Sequence, residues 1–139
     1  MKKSKFLASI FVVIAAVLLF SVSAYAAETL YTYGKYKYTL TENNTVKIIK
    51  YTGTSKTVTI PAEIDGKAVT HIGELVFGET CPTRKVIIPD CVTTIENAFD
   101  SSNVETVEIG SGVTEIETDA FYGAWKLEEI IVSDENSAY

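Results

Sequence analysis

The sequence is poor in the residues from which most metal sites and catalytic centres are built. Its 139 residues include one histidine, two cysteines and one methionine. A structural zinc site uses about four Cys or His ligands, and a hydrolytic triad needs a histidine beside its nucleophile. Positive charge is also scarce, with 12 Lys and Arg against 18 Asp and Glu and a net charge of −6. This balance argues against a nucleic-acid partner, because phosphate backbones are bound by basic surfaces.

The first 26 residues have the pattern of an export signal. Three lysines within the first five residues precede an uncharged segment from Phe6 to Phe20, and Ala24-Tyr25-Ala26 then offers a small-residue cleavage site. We predict a signal peptide over residues 1–26 and a mature chain that is secreted or held at the cell surface. The alternative is an uncleaved membrane anchor, because extension through Ala27 brings the apolar segment to the ~20 residues of a bilayer span.

Export would place Cys81 and Cys91 in an oxidising environment, where a disulfide is permitted. One interpretation is a bridge that closes a small loop. The other is two small, partly buried side chains in neighbouring turns. Spacing along the chain does not decide between them, because a disulfide requires a specific separation and orientation of the two side chains.

The chain after residue 55 consists of repeats. Three phenylalanines, Phe77, Phe99 and Phe121, lie 22 residues apart. A pair of apolar residues with spacing three precedes each phenylalanine, an alternating Val-x-Ile run precedes each pair, and Ile130-Ile131-Val132 begins a further copy. Self-similarity with a period of twenty-odd residues predicts a solenoid, in which each copy forms one coil and packs on its neighbours.

Each copy has the same order of elements. The alternating run predicts a short strand with two inward side chains, Pro or Gly ends the strand, and an Ala-Phe turn follows the apolar pair. Val104-x-x-Val107-x-Ile109 has the L-x-x-L-x-L arrangement of a leucine-rich repeat. We predict a β-rich leucine-rich-repeat solenoid with a short curved parallel sheet, small helical or 3₁₀ turns and an N-terminal β-hairpin cap. The predicted core comprises, with the first-copy equivalents, Val86, Ile88, Val92, Ile95, Phe99, Val104, Val107, Ile109, Val113, Ile116, Phe121, Leu127 and Ile130.

Segments 60–73, 88–95 and 116–121 contain an Ile-Pro strand exit, the apolar pair and an Ala-Phe turn. These motifs resemble the BspA-like leucine-rich repeat family over residues 56–139, as about three repeats and the start of a fourth. The resemblance implies a bacterial surface or secreted protein, and some members are adhesins that bind host matrix proteins or other bacteria. It implies no enzymatic activity and no cofactor, because the repeat motif has no catalytic residues.

Residues 27–55 precede the repeats and are rich in tyrosine. Tyr36-x-Tyr38-x-Leu40 and Val46-x-Ile48 alternate on either side of a turn at 42–45, which predicts a β-hairpin. We expect this hairpin to cap the stack, because an open end exposes half of a coil's core. The alternative role of the tyrosines is a platform for sugar rings, which stack on aromatic side chains.

Few segments of the repeats could support chemistry. His71 has no second histidine or cysteine at ligand spacing, and Asp134-Glu135-Asn136 lacks the pattern of a calcium loop, so we expect an ordinary turn residue and an exposed loop. Glu115 and Glu117 flank the turn of one coil, whereas a glycosidase needs two carboxylates that converge across a cleft.

The outward-facing residues of the predicted strands form the candidate binding surface, which we call the strip. It comprises Thr57, Thr59, Lys85, Ile87, Thr106, Glu108, Glu129 and Ile131. The strip is polar, its charge runs from basic to acidic along the stack, and it suits a protein or glycan partner better than a small molecule in a deep pocket. The alternative is that these residues only keep the sheet soluble.

The predicted function is a non-catalytic binding or adhesion module that recognises proteins or glycans outside the cell, with no nucleic-acid partner and no membrane contact after leader cleavage. Two other interpretations stay open. One is the non-catalytic recognition part of a larger, truncated surface enzyme, and the other is a membrane-tethered stub. The chain stops in its fourth strand, which predicts an open edge at residues 130–132 and self-association through it.

Overall fold

The computed structural model describes residues 28–139, so the predicted signal peptide and the alternative anchor lie outside the described residues. The described chain folds into eleven strands. No helix that is long and apolar enough to cross a bilayer occurs between residues 28 and 139. The strands are β1 (Tyr31–Tyr33), β2 (Tyr36–Leu40), β3 (Val46–Tyr51), β4 (Thr57–Thr59), β5 (Glu63–Ile64), β6 (Lys67–Ile72), β7 (Lys85–Ile88), β8 (Thr94–Ile95), β9 (Thr106–Ile109), β10 (Glu115–Ile116) and β11 (Glu129–Val132).

The strands form two sheets. Sheet 1 contains β4, β7, β9 and β11 as parallel neighbours in that spatial order. Sheet 2 has the order β1-β2-β3-β6-β8-β10, with β5 paired to β6. Its pairs from β3 to β10 are parallel, and its pairs among β1, β2 and β3 are antiparallel. Because the chain visits the two sheets in turn, it winds into a β-solenoid of about four turns, which confirms the predicted fold.

The parallel part of sheet 2, formed by β6, β8 and β10, was not predicted from the sequence. The apolar pair of each copy ends in an isoleucine, and these isoleucines, Ile72, Ile95 and Ile116, are in register on β6, β8 and β10. The Glu96 N–H donates to the carbonyl of Ile72, and the Glu117 N–H donates to the carbonyl of Ile95, both at 2.9 Å. The ladder pairs backbone groups that an isolated turn would leave to water.

The Ala-Phe elements are short turns. The Ala120 N–H donates to the carbonyl of Glu117 at 3.0 Å, and the Tyr122 N–H donates to that of Asp119 at 3.0 Å. In the described chain none of these turns continues into a helix. They reverse the chain between sheet 2 and the next strand of sheet 1.

The phenylalanines form one column inside the coils. The ring centroids of Phe77 and Phe99 lie 5.4 Å apart at an interplanar angle of 9°, and those of Phe99 and Phe121 lie 5.1 Å apart at 5°. Phe77 and Phe99 are fully buried. The equal spacing in the sequence therefore corresponds to stacking in space.

The aliphatic core follows the prediction except at the last coil. The predicted residues from Val86 to Val113 are buried, and Ile116, Phe121 and Leu127 are partly buried. The prediction is wrong for Ile130, whose side chain is 42% exposed. Its strand, β11, pairs with β9 on one side, and no other strand of residues 28–139 covers its second side.

The predicted hairpin is present as β2 and β3, in which Tyr38 pairs with Ile48 and Leu40 pairs with Val46. β3 continues in parallel with β6, so backbone hydrogen bonds join the hairpin to the first coil. The ring of Tyr51 extends the phenylalanine column, with its centroid 5.8 Å from that of Phe77. Tyr38 and Tyr51 are buried, so these two tyrosines contribute to packing.

Candidate functional site

The strip lies on the outward face of sheet 1. In β7 and β9 its residues alternate with buried valine and isoleucine side chains. Adjacent strands lie about 4.8 Å apart, so four strands present a face roughly 14 Å wide. The register arranges the eight residues in two rows of four, with Thr57, Lys85, Thr106 and Glu129 in one and Thr59, Ile87, Glu108 and Ile131 in the other.

Charge at the centre of the strip is paired, which differs from the expected gradient. Lys85 Nζ forms an ion pair with Glu108 Oε1 on the neighbouring strand, and Arg84 pairs with Glu105 beside the strip. These pairs are partly exposed, so each contributes about 0–1 kcal/mol to stability. The strip therefore has a neutralised centre and an exposed acidic residue, Glu129, at its β11 end.

A shallow pocket of about 300 Å³ lies at the β4 end of the strip. Thr57 and Thr59 line it from sheet 1, and Tyr33, Tyr36 and Tyr51 line it from the hairpin region. The Tyr36 hydroxyl donates to the carbonyl of Thr59 at 3.4 Å. Burial and the nearby Tyr51 raise the pKa of Tyr36 from 10.0 to about 12, so its hydroxyl keeps its proton into the alkaline range. The strip is thus continuous with a surface of tyrosine rings and hydroxyls.

The backbone of β4 contributes to the same pocket. The carbonyl of Lys56 accepts hydrogen bonds from the start of β7, and the Ile60 N–H donates to the carbonyl of Ile87 at 2.9 Å. Peptide groups alternate in direction along a strand, so those of Thr57 and Thr59 point away from β7, toward the free edge of sheet 1. The pocket therefore presents hydrogen-bond donors and acceptors in fixed positions.

The groups considered for metal binding have structural roles. His71 Nδ1 lies 2.8 Å from Thr70 Oγ1. Across the described part of the chain, no group of three or more His, Cys, Asp and Glu side chains is positioned to hold a metal ion. Asn136, which was expected in an exposed loop, is buried, and its amide donates to the carbonyls of Gly110 at 3.1 Å and Val113 at 2.9 Å.

Cys81 and Cys91 are free thiols with separate partners. The Cys81 thiol donates to Thr83 Oγ1, and the Cys91 thiol donates to the carbonyl of Ala62, both at 3.3 Å. Strand β7 separates them and spans about 10 Å, more than the ~7 Å between Cα atoms that a disulfide can bridge. The structure thus has two separate thiols, and burial raises the pKa of Cys91, which keeps it protonated.

Sequence analysis missed Trp125, whose side chain is 93% exposed. The strands β7, β9 and β11 begin at positions that are in register. Cys81, Ser102 and Trp125 each lie four residues before one of these starts, so they occupy equivalent positions of three successive coils. Cys81 and Ser102 are buried, so one position of the repeat is interior in two coils and an exposed indole in the third. A comparison of the copies at this position would have found the exception, because the only tryptophan of the chain replaces a small residue there.

Two sheets of short parallel strands around a phenylalanine column define a β-solenoid of the leucine-rich-repeat class. The sequence profile described as "BspA type Leucine rich repeat region (6 copies)" matches residues 37–138. The chain belongs to this family, in agreement with the resemblance of its motifs. The match begins within the segment predicted as the N-terminal cap.

Solved structures have the same fold. The leucine-rich repeat protein of T. pallidum has a TM-score of 0.67 at 26% identity, over 74% of this chain and 50% of that chain. A leucine-rich repeat protein from Bacteroides capillosus has a TM-score of 0.52 at 18% identity, over 76% and 99%. A leucine rich cell surface protein from Faecalibacterium prausnitzii has a TM-score of 0.50 at 23% identity, over 78% and 44%. The chain thus spans half or less of the T. pallidum and F. prausnitzii chains, and no curated protein matches it.

Proposed function

We propose that this chain is a non-catalytic binding module that acts outside the cell, secreted or at the cell surface, and recognises a protein or glycan through the strip. Family membership supports a repeat scaffold for binding. The export pattern of residues 1–26 supports the location, and one solved structure of the same fold is a cell surface protein.

The observation that carries the proposal is the arrangement of the strip. Eight side chains stand in two rows on four strands, and each row is held by the backbone ladder of sheet 1. Such a surface is ordered before a partner arrives, which lowers the entropic cost of binding. Its two aliphatic residues, Ile87 and Ile131, offer apolar contact among polar groups.

The pocket at the β4 end favours a partner that reaches across the sheet edge. Its tyrosine rings offer flat apolar faces, and the hydroxyls of Thr57 and Thr59 stand beside them. A glycan or an extended protein segment could occupy both the strip and the pocket, whereas a small molecule would fill only the pocket.

The test compares the wild-type chain with the triple variant Lys85→Ala, Ile87→Thr, Glu108→Ala. Removal of one lysine and one glutamate together leaves the net charge unchanged, so a loss of binding reports the surface itself. Both proteins are applied to a glycan array and to purified extracellular matrix proteins. We expect the triple variant to bind at least about tenfold more weakly.

The matched control is Thr94→Ala with Glu115→Ala on sheet 2, outside the strip. This control should bind as the wild-type chain does, and circular dichroism should show that all three proteins are folded. Equal binding by the triple variant and the wild-type chain would remove the strip as the site.

A further inference from the structure

Trp125 has a large apolar side chain that does not pack in the core of the fold. The indole is 93% exposed, although the equivalent position in the two preceding coils holds the buried side chains of Cys81 and Ser102. An exposed indole gives no packing energy to the solenoid, and large exposed aromatic side chains are typical of binding sites.

The indole borders a groove of about 320 Å³ between the turns that precede β9 and β11. This volume lies at the lower end of the range of about 300–1,000 Å³ for ligand sites. The groove is lined by Glu79, Ser101, Ser102, Asn103, Gly123, Trp125 and Lys126. It belongs to the turns of the solenoid, and none of its lining residues is part of the strip.

Polar groups of three successive coils are linked along this groove. Lys126 Nζ donates to Asn103 Oδ1 at 2.7 Å, and Asn103 Nδ2 donates to the carbonyl of Glu79 at 2.7 Å. These bonds hold the amide and the ammonium group in position, while each keeps further N–H donors for a ligand. Lys126 and Glu79 carry opposite charges, so the groove has no net charge from its lining side chains.

One residue that lines the groove, Ser102, has an unsatisfied hydroxyl. Ser102 is 5% exposed, and its Oγ has no hydrogen-bond partner among the described residues. Buried hydroxyls in folded proteins nearly always have a partner, either from the protein or from water or a ligand. Gly123 has a φ of +67°, a conformation that favours glycine, so the groove is free of a side chain at that point.

We propose that this groove is a carbohydrate subsite that takes a neutral pyranose ring of a glycan. The C–H face of a pyranose is apolar and can stack on the indole of Trp125, while the ring hydroxyls donate and accept hydrogen bonds at once. The groove provides both kinds of partner, from the Asn103 amide, the Lys126 ammonium group and the Glu79 carboxylate. This site is separate from the strip, and its test does not depend on the function proposed for the strip.

The single tryptophan makes the proposal measurable in the whole chain. Neutral trisaccharides (chitotriose, cellotriose and maltotriose) are titrated to about 10 mM while the intrinsic tryptophan emission is recorded. We expect at least one of them to shift the emission maximum to the blue with a saturable dose response, because stacking removes the indole from water. Absence of a saturable response to all three sugars would overturn the proposal.

Substitutions distinguish stacking of the sugar on Trp125 from nonspecific binding. Trp125→Ala removes the fluorophore, so its binding is measured by calorimetry, and we expect the Kd for the responding sugar to rise at least about tenfold. Tyr122→Ala is the matched control, because Tyr122 is an adjacent aromatic residue, 70% exposed, that does not line the groove. Its Kd should stay within about twofold of that of the wild-type chain.

Two further comparisons complete the test. Asn103→Ala should weaken binding of the same sugar, because it removes the central polar group of the groove. The strip variant Lys85→Ala, Ile87→Thr, Glu108→Ala should retain the full emission response. Equal weakening by Tyr122→Ala and Trp125→Ala, or loss of the response in the strip variant, would contradict a specific site at Trp125.

Discussion

At the scale of single residues, Tyr38 links the hairpin to the first coil. Its hydroxyl donates to Asp65 Oδ2 at 2.6 Å. Asp65 and Gly66 have φ values of 51° and 74° and connect the antiparallel strands β5 and β6, the two-residue turn that Asp-Gly favours. The hydrogen bond to Asp65, together with burial, raises the pKa of Tyr38 to about 12.

This shift predicts a loss of stability at alkaline pH. The Tyr38 phenol has a reference pKa of 10.0 and a folded-state pKa of about 12. Its contribution is therefore fully present below pH 10 and is lost as the pH rises toward 12. Tyr38→Phe should be less stable at pH 8, because Asp65 loses its donor. Between pH 10 and 12 its free energy of unfolding, measured with urea, should fall less steeply than that of the wild-type chain.

Tyr122→Phe is the control for this measurement. Tyr122 is 70% exposed, so its loss of a hydroxyl should leave the pH profile of the wild-type chain unchanged. Parallel profiles for the wild-type chain and Tyr38→Phe would show that the Tyr38 hydroxyl does not cause the alkaline loss.

At the scale of elements, the aromatic column is the interaction that passes from coil to coil. The ring planes become more nearly parallel along it, with interplanar angles of 39° at Tyr51–Phe77, 9° at Phe77–Phe99 and 5° at Phe99–Phe121. Offset stacking of aromatic rings contributes about 0.5–1.5 kcal/mol per pair beyond burial. The column therefore couples neighbouring coils in addition to the two backbone ladders.

Phe99→Ala should destabilise the chain by about 3–5 kcal/mol, because it leaves a cavity between rings on both sides. Phe121→Ala should cost less, since Phe121 is partly buried and contacts one ring of the column. Urea unfolding of both variants measures the difference. A loss below about 1 kcal/mol for Phe99→Ala would mean that the ring does not support the stack.

The turns between strands show how closely the coils approach each other. A Cβ atom on Gly112 would lie 1.8 Å from the carbonyl oxygen of Asp90, which belongs to the preceding coil. Asp90 Oδ1 accepts a hydrogen bond from the Ser111 N–H at 2.7 Å, and this bond lowers the pKa of Asp90. The glycine is therefore required by contact between coils, which no pattern within a single coil reveals.

At the scale of the whole molecule, the two hydrogen-bonding edges of β11 differ. One edge pairs with β9, and in the described chain the other edge has no partner strand. Ile130 and Ile131 are each 42% exposed on this strand. An unpaired strand with exposed aliphatic side chains is a template for pairing with another chain.

We therefore expect concentration-dependent self-association through β11. In sedimentation velocity the mean sedimentation coefficient of the wild-type chain should rise with concentration, and Ile130→Lys should reduce the rise, because charged side chains protect exposed edges. Leu75→Lys is the control, since Leu75 is a 52% exposed aliphatic residue outside the strands and should leave the association unchanged. A monomer at every concentration would contradict this expectation.

Much of this architecture could be predicted because its signals repeat locally. The Val-x-Ile runs predicted the strands of sheet 1, and the repeat period marked by Phe77, Phe99 and Phe121 predicted coils that pack on their neighbours. The strands that the repeats add to sheet 2 were missed, because β8 and β10 have only two residues each and so short a run shows no alternation. The ion pair of Lys85 with Glu108 was missed because the two residues meet only when their strands align.

The amino-acid sequence by itself determined the period, the inward face of each strand and the residues of the strip, because these follow from spacing within one copy. Only the tertiary structure decided which residues of different coils become neighbours. It placed Thr57 and Thr59 beside the tyrosines of the hairpin, and it left Trp125 over a groove instead of in the core. The physical reason is that lateral contacts in a solenoid depend on the register between coils, which backbone ladders and insertions of one or two residues set together.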